Sequence, residues 1–543
     1  MARTLLLRSI LRLAGQYRVA AKTGLPVPAV QDRQTLAVAS GQRAFTRRQF
    51  LAGVAAATAG LAISPWASAA ASGQPRIAII GAGISGLNCA LTLADSGVQS
   101  TVYEASPRIG GRMFSNNAGY WADNQVTEWG GELIDTGHVT VQKLAARFDL
   151  TLDDLTAAGP AGAEDTYYFD RAYYPRPQAV RDFAPVYQAV MADSAAAGYP
   201  TTFATSTPAG LKLDRMSVWD WIQHRVPGGH FSKMGQLLEV AYAIEYGADT
   251  REQSALNLVY LLSGSDQRFE IFGASDERFH VRGGNQQIPL AMANLLAGRG
   301  MPVQTSRRLA AIRQRPDGSI ALGFESGGAI REEIAELVVL TLPFAVLRTL
   351  DYSRAGFDPL KHQVIQQLGR GRNGKLQLQF SRRLWNHHGN WGTSNGQSFS
   401  DLGYQLTWEP TRGQAGNSGI LNNYTGGTVA DQKRAKLPFA LIGNAEVRQD
   451  ATRFLRQINR VFPGLPKLWN GQAASSLPHL SPFFNCSYSF WRVNQYHTIA
   501  GYEGVRQGNI FFAGEHTSQD FQGFMEGGAS EGGRAAREIL AQL

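Results

Sequence analysis

The chain has 543 residues, 44% of them hydrophobic, which is enough for two or more domains with sizeable cores. Its formal charge is +9, yet nine basic residues against the single acid Asp32 precede Ala70, so +8 of that charge sits in the first 69 residues and nucleic acid is excluded as a default partner. Two cysteines, Cys89 and Cys486, exclude a disulfide framework and a multi-cysteine metal site, and leave open whether they pair.

In chain order, the first feature is Thr46-Arg-Arg-Gln-Phe-Leu51, followed by a mostly apolar run to Ile63 and the small-residue exit Ala67-Ser-Ala69. This looks like a twin-arginine export signal, which implies the twin-arginine machinery as a partner and a periplasmic or secreted mature chain. A run of about thirteen residues is too short to span a bilayer of roughly 30 Å, and no other stretch reads as a membrane span. Residues 1–45 are long for a signal's lead, so the true start of translation stays open.

Arg76-Ile-Ala-Ile-Ile80 predicts a short buried strand, followed at once by the turn Gly81-Ala-Gly-Ile-Ser-Gly86 and an amphipathic helix over Leu87 to Ser96. Gly81 permits the tight turn, Gly83 lets backbone approach a pyrophosphate, and Gly86 lets helix and strand pack closely. A second strand, Ser100 to Tyr103, delivers Glu104 about twenty residues on, where a carboxylate accepts from ribose hydroxyls. This is a dinucleotide site that NAD and FAD satisfy equally.

Ile109-Gly-Gly-Arg112 offers a second phosphate-facing turn with an arginine suited to a diphosphate. Glu128-Trp-Gly-Gly-Glu-Leu-Ile-Asp135 carries two acids, Glu132 and Asp135. Residues 151–280 read mostly as helices with polar loops, including Val218 to Val226 and Met234 to Tyr246, an insertion of the kind that builds a substrate side. Glu245-Tyr246 and Asp276-Glu277 are further candidate contacts for an amine, although as acids they read first as surface groups. Strand-like pieces follow around Val303, Ile320 to Phe324 and Leu337 to Leu342. Arg372 to Phe380 alternates as a strand with Lys375 at its head, and His387 to Gly427 reads as loops and short strands containing Trp391 and Trp408. Pro482 to Ser489 supplies Tyr488, with Trp491 close behind. Ile510 to Phe512 predicts a buried strand ending at Ala513-Gly514-Glu515, and the chain turns helical from Gly523 to Leu543 with Phe524 at the start.

Taken in order from Pro75 to Leu543, these segments resemble the FAD-dependent amine oxidase family, which includes monoamine oxidases, polyamine oxidases and L-amino acid oxidases. The resemblance implies an α/β fold, with a doubly wound, Rossmann-like FAD-binding domain from residues 74–125, 280–345 and 495–543. An interleaved α+β substrate domain would then come from 126–279 and 346–494. It implies FAD held by Gly81, Gly83, Ser85, Gly86, Glu104, Ala105, Gly111, Arg112, Gly514, Glu515 and Met525, with a backbone contact to adenine near Val303. Lys375 would hold a water against flavin N5. Tyr488 and Phe524 would face each other across the flavin and align the amine, with Trp491 as the alternative second wall. Some relatives bond flavin through a cysteine immediately before this tyrosine. Here Ser487 stands there and Cys486 is one residue off, so non-covalent FAD is expected.

The implied reaction is hydride transfer from the carbon α to a neutral amine nitrogen onto flavin N5. Hydrolysis of the imine to aldehyde or ketone follows, with oxygen reduced to hydrogen peroxide or a carrier taking the electrons. No metal is required. Glu132, Leu133 and Asp135 occupy the segment where L-amino acid oxidases usually carry a carboxylate-binding arginine. The acids favour an amine without an α-carboxylate, including diamines and polyamines, with Glu132 and Asp135 as substrate contacts. The alternatives are an L-amino acid oxidase using Arg278 or Arg282, and an exported flavin-binding protein without turnover. The particular amine and the oligomeric state are not legible.

Overall fold

Ile77–Ile80, buried along its whole length, is the strand on which the nucleotide-binding side is assembled. The structure, a computed structural model, describes residues 73–264, 269–326 and 328–543, so the twin-arginine reading falls outside the described residues. Thr101–Tyr103 pairs parallel on one side of Ile77–Ile80 and Leu337–Leu340 on the other, and Ile510–Phe512 continues the sheet parallel to Leu337–Leu340. Strands more than 400 residues apart in sequence thus share one sheet, buried on both faces as parallel sheets are. The expected piece at Val303 is not a strand, although Gln304 makes a single parallel bridge to Tyr103 at the sheet edge.

Two helices cover this sheet, Ile84–Asp95 and Met525–Leu540, and glycines let them touch. A Cβ on Gly532 would lie 2.0 Å from the Ser85 carbonyl oxygen, and one on Gly528 would lie 2.9 Å from the Ile84 side chain. Asn88 Nδ2 donates to the Ala529 carbonyl at 2.7 Å across the same seam. Inside the first turn, a Cβ on Gly86 would meet the Gly81 carbonyl at 1.9 Å. The consequence is functional, because both helices begin at the same place and aim their free N–H groups at one cavity.

The other half is an eight-stranded sheet in the order 439–441, 469–476, 373–380, 419–426, 406–408, 394–400, 164–169 and 172–173. Helices Arg176–Ala197, Val218–Arg225, Lys233–Tyr246 and Ala255–Leu262 form a second layer, packed through Trp221, Leu238, Tyr242 and Val259 against Phe399 and Trp408 of the sheet. Residues 387–427 contribute the short strand Leu406–Trp408 and two longer ones, Ser394–Ser400 and Gly419–Gly426, where loops and short strands were expected. Ser394–Ser400 and Gly419–Gly426 bury Ser398, Asn422, Asn423 and Thr425, so the polar and apolar alternation that marks a half-exposed strand is missing.

Strand register places chemistry on one face. Lys375 sits directly opposite Ser476 on one neighbour and Tyr424 on the other, and Tyr424 sits opposite Leu406, a row of four residues that all line the cavity. On the other face Leu376, Leu378 and Phe380 pack against Val447, Ala451 and Phe454 of helix Ala445–Ile458.

The helix seam yields a direct test. Gly532→Ala drives a methyl into backbone and is expected to cost about 1–3 kcal/mol with loss of bound flavin. Gly298→Ala, at a helix end with nothing within 4 Å, should be neutral. Thermal unfolding and the flavin-to-protein absorbance ratio of the two variants check both.

Candidate active site

The cavity enclosed between the two halves has a volume of about 320 Å³. Its nucleotide end is the Gly81 turn, where φ is +109° and a side chain would strike Thr341 Oγ1 at 2.5 Å. Glu104 is buried here, one oxygen accepting from Ala82 N at 2.9 Å and the other from Ser106 N at 2.8 Å. The carboxylate is therefore fixed in orientation and retains lone pairs for ribose hydroxyls. Ser85 Oγ lines the cavity at the start of Ile84–Asp95, is buried, and has no hydrogen-bond partner among the described residues. An orphan hydroxyl on a helix N-terminus, beside a glycine cradle, fits the pyrophosphate of a dinucleotide.

Arg112 spans the next section. Its Nη1 donates to the Ser487 carbonyl at 2.8 Å and to Glu515 Oε1 at 2.9 Å. Glu515 also accepts from Ser489 Oγ at 2.7 Å and Gly523 N at 2.8 Å. Burial opposes charge on Glu515, but Arg112, His516 and the Ser489 hydroxyl outweigh it and hold the carboxyl below its ordinary pKa. Ser487 lines the cavity, whereas Cys486 faces a separate small cavity beside His516 and Arg348, and burial pushes its thiol up to about 11.

Beyond this lies an aromatic and acidic compartment. Tyr488 and Phe524 both line it, and Tyr488 OH shares a hydrogen bond of 3.0 Å with Tyr424 OH and donates to the Ile244 carbonyl at 3.1 Å. Lys375 Nζ donates to Glu132 Oε2 at 2.6 Å and to the Gly130 carbonyl at 2.7 Å. Glu245 and Glu277 line the same compartment, and no hydrogen bond or ion pair holds either carboxylate among the described residues. Burial, then repulsion from Asp135, pushes Glu245 up to about 7. The same two causes, with Glu245 adding its own repulsion, push Glu277 up to about 8.

Of the expected residues, Lys375, Tyr488, Phe524, Gly81, Gly83, Ser85, Glu104, Ala105, Gly111, Arg112, Gly514, Glu515, Met525 and Glu132 are brought together in the cavity wall. Four are not. Gly86 packs against the Gly81 carbonyl instead. Val303 lies outside the wall, which at that end is formed by Arg307, Arg308 and Leu309. Trp491 is buried in the apolar core against Tyr496, at 5.3 Å between rings. Asp135 is buried behind the wall, accepting from Glu277 N at 3.0 Å. Its backbone N–H donates to His138 Nδ1, and the His138 ring packs 5.2 Å from Phe524, so Asp135 supports the aromatic wall from behind. Tyr424 was not singled out from the sequence and Trp408 was named without a role, both lying on strands without alternation. Glu128 was read only as the start of its motif. It is fully buried and bonded to Ser115, His280 and the Asn285 N–H.

A paired parallel strand and helix start for a dinucleotide, joined to an aromatic compartment with a buried lysine, define a flavoprotein oxidoreductase. Residues 84–540 match the model of the flavin-containing amine oxidoreductases, and the chain belongs to that family as an FAD-dependent amine oxidase. It is 22% identical over 489 residues to an L-amino-acid oxidase of Crotalus adamanteus, covering 87% of this chain and 88% of the relative. It is also 22% identical to polyamine oxidase 1 of Zea mays, covering 90% and 95%. Among solved structures, cyclohexylamine oxidase from Brevibacterium oxydans IH-35A superposes with a TM-score of 0.72 at 20% identity, covering 86% of this chain and 99% of that one.

Two outcomes test the cofactor end. Acid precipitation should release all the FAD into the supernatant, since no cysteine thiol faces the cavity at position 487. Arg112→Ala leaves Glu515 buried without its cation and should lower stability by about 3 kcal/mol in urea unfolding, with loss of flavin.

Proposed function

We propose that this enzyme oxidises a primary or secondary amine lacking an α-carboxylate, and that it favours amines carrying a second ammonium, such as diamines and polyamines. The product imine hydrolyses to an aldehyde or ketone, and oxygen is reduced to hydrogen peroxide. FAD, when bound, supplies the two-electron acceptor. The protein's part is to bind, orient and desolvate. Tyr488 and Phe524 offer apolar faces that align a neutral amine, and closure of the compartment by Trp408, Tyr424 and Phe272 keeps water away from it.

The carrying observation is the unpartnered pair Glu245 and Glu277. Carboxylates held in a wall without a cation are matched by a ligand that brings one. The arginines lining the cavity are committed elsewhere, Arg112 to Glu515, Arg307 to Glu333 and Arg308 to Glu325. The two arginines that an amino acid oxidase reading would use do not line the cavity: Arg278 pairs with Asp154 and Arg282 with Asp153, each at 2.7 Å. Among the described residues, therefore, nothing in the compartment offers a free arginine to clamp a substrate carboxylate. Cavity residues Ser85, Arg112, Lys375 and Glu515 are in place for turnover, which supports an enzyme over a flavin-binding scaffold. Export by the twin-arginine route to the periplasm completes the proposal and rests on residues 46–69 alone.

The sign of the pH dependence follows from the raised carboxyls. Glu245 and Glu277 are protonated at low pH and become attractive to a cation only as pH rises through about 7 and about 8. Because the folded pKa values lie above the unfolded ones, stability from these groups is present in acid and is lost as pH rises through the same window, and a bound dication restores it. Anaerobic flavin reduction should give a Kd for a diamine that falls more steeply between pH 6 and 9 than that of the matching monoamine. Glu277→Gln should weaken the diamine about tenfold or more and leave the monoamine within about twofold. Reduction by an amino acid in preference to its decarboxylated amine would overturn the proposal.

A further inference from the structure

Glu132 differs from Glu245 and Glu277 although it lines the same compartment. It is 6% exposed, and both of its oxygens are already in use. Oε2 accepts from Lys375 Nζ at 2.6 Å, and Oε1 accepts from Trp408 Nε1 at 2.7 Å. The other two ammonium protons of Lys375 are directed to the Gly130 carbonyl at 2.7 Å and, more weakly, to the Glu128 carbonyl at 3.3 Å. All of the lysine's acceptors thus lie in the single segment 128–132.

The second oxygen carries the connection onward. The indole it holds meets Tyr424 edge to face, with ring centroids 5.0 Å apart and planes at 67°. Tyr424 OH then bonds Tyr488 OH at 3.0 Å. Lys375 Nζ lies 5.6 Å from the centre of the Trp408 ring, so carboxylate, ammonium and indole form a closed triangle. One carboxylate fixes both the buried cation and the aromatic wall.

We infer that Glu132 is a positioning residue and not a contact for the substrate amine: it clamps Lys375 and Trp408 in one arrangement in the compartment wall. The kinetic part of this inference rests on the amine oxidase reading above, and the stability part does not. A carboxylate with one cation and one indole N–H already in place gains little from a second cation, whereas releasing either partner leaves a buried donor unsatisfied. In Glu132→Gln the amide offers one oxygen to two donors, so either Lys375 or Trp408 must face an N–H group.

The test uses Glu132→Gln, Trp408→Phe and the double variant, with wild type, in two arms. In the first arm, the purified holoenzymes are unfolded thermally. The clamp predicts strong non-additivity, with Trp408→Phe losing little further stability once residue 132 is Gln. Additive losses would overturn it. In the second arm, holoenzyme is reduced anaerobically by the amine that reduces wild type, and then mixed with oxygen. Glu132→Gln should keep the amine Kd within about twofold and slow flavin reoxidation about tenfold or more. Trp408→Phe, which frees Oε1 alone, should slow it less. A tenfold rise in amine Kd with unchanged reoxidation would make Glu132 a substrate contact and overturn the inference. If Glu132→Gln does not fold, Trp408→Phe decides both arms from the other side of the carboxylate. If no amine reduces the wild-type flavin, the functional proposal fails and the thermal cycle still decides the clamp.

Discussion

The Arg112 to Glu515 ion pair is the junction on which the site depends. Arg112 follows the second phosphate-facing turn, Glu515 ends the last strand of the parallel sheet, and the guanidinium also binds the Ser487 carbonyl at 2.8 Å. Through Ser489 and Gly523, Glu515 then ties the tyrosine segment to the start of the last helix. Four stretches of chain, three of them more than 370 residues from the first, are thereby fixed around one partly buried charge pair. Such a pair is weak evidence for stability in itself, because desolvation consumes most of its Coulomb attraction. Its value lies in geometry. It is the point at which the nucleotide end of the cavity is registered against Tyr488 and Phe524.

Charge is then graded along the cavity. At the Gly81 turn the charge available to an anion is positive, from the N-terminus of helix Ile84–Asp95, with Glu104 committed to backbone N–H groups. In the middle, Lys375 and Glu132 cancel each other at 2.6 Å. At the far end, Glu245 and Glu277 are acids without partners among the described residues, both raised by burial and by the field of Asp135, and Glu277 further by Glu245. A dinucleotide with anionic phosphates and a substrate with cationic nitrogens would each meet the complementary end. The neutral middle is where a deprotonated amine can sit without a strong field drawing a proton onto it. The same amino acid type, glutamate, therefore has three different jobs set only by its neighbours.

The sequence made the nucleotide end legible because its signals are local. A glycine whose carbonyl leaves no room for a neighbouring Cβ, a strand before it and a carboxylate twenty residues later are all read without knowing the fold. The strand expected at Arg76 to Ile80 is Ile77–Ile80, and the helix expected from Gly523 to Leu543 is Met525–Leu540. The substrate side resisted for the opposite reason. Asp135 and Glu132 are acids three residues apart in one motif, yet one is buried behind the wall against His138 and the other is clamped by Lys375 and Trp408 from strands more than 240 residues away. Val303 and Leu309 are apolar residues six apart in one short stretch, and only the fold shows that Leu309, which opens the strand Leu309–Gln314, reaches the cavity. Spacing reports local turns; it carries no information on which distant strand supplies a partner.

Lys375 shows why tertiary context overrides the local reading. A lysine at the head of a strand is ordinarily solvated, and Lys375-Leu-Gln-Leu-Gln-Phe380 alternates as if one face were exposed. In the structure both faces are buried: Gln377 donates to the Glu128 carbonyl and Gln379 to the Ala122 carbonyl, while the leucines fill the opposite core. The polar face of this strand is an interior surface, turned toward the segment 122–132 that borders the cavity. Because strand side chains alternate with a period of two, a slip of one residue would bury Leu376 in the cavity wall and drive Lys375 into the core beside Val447. The cross-strand pairing of Lys375 with Ser476 and Tyr424 forbids that slip, since it would also leave Gln377 and Gln379 facing apolar side chains or without acceptors. The register of one sheet is thus what keeps the lysine, its carboxylate clamp and the tyrosine pair on the same side of the substrate.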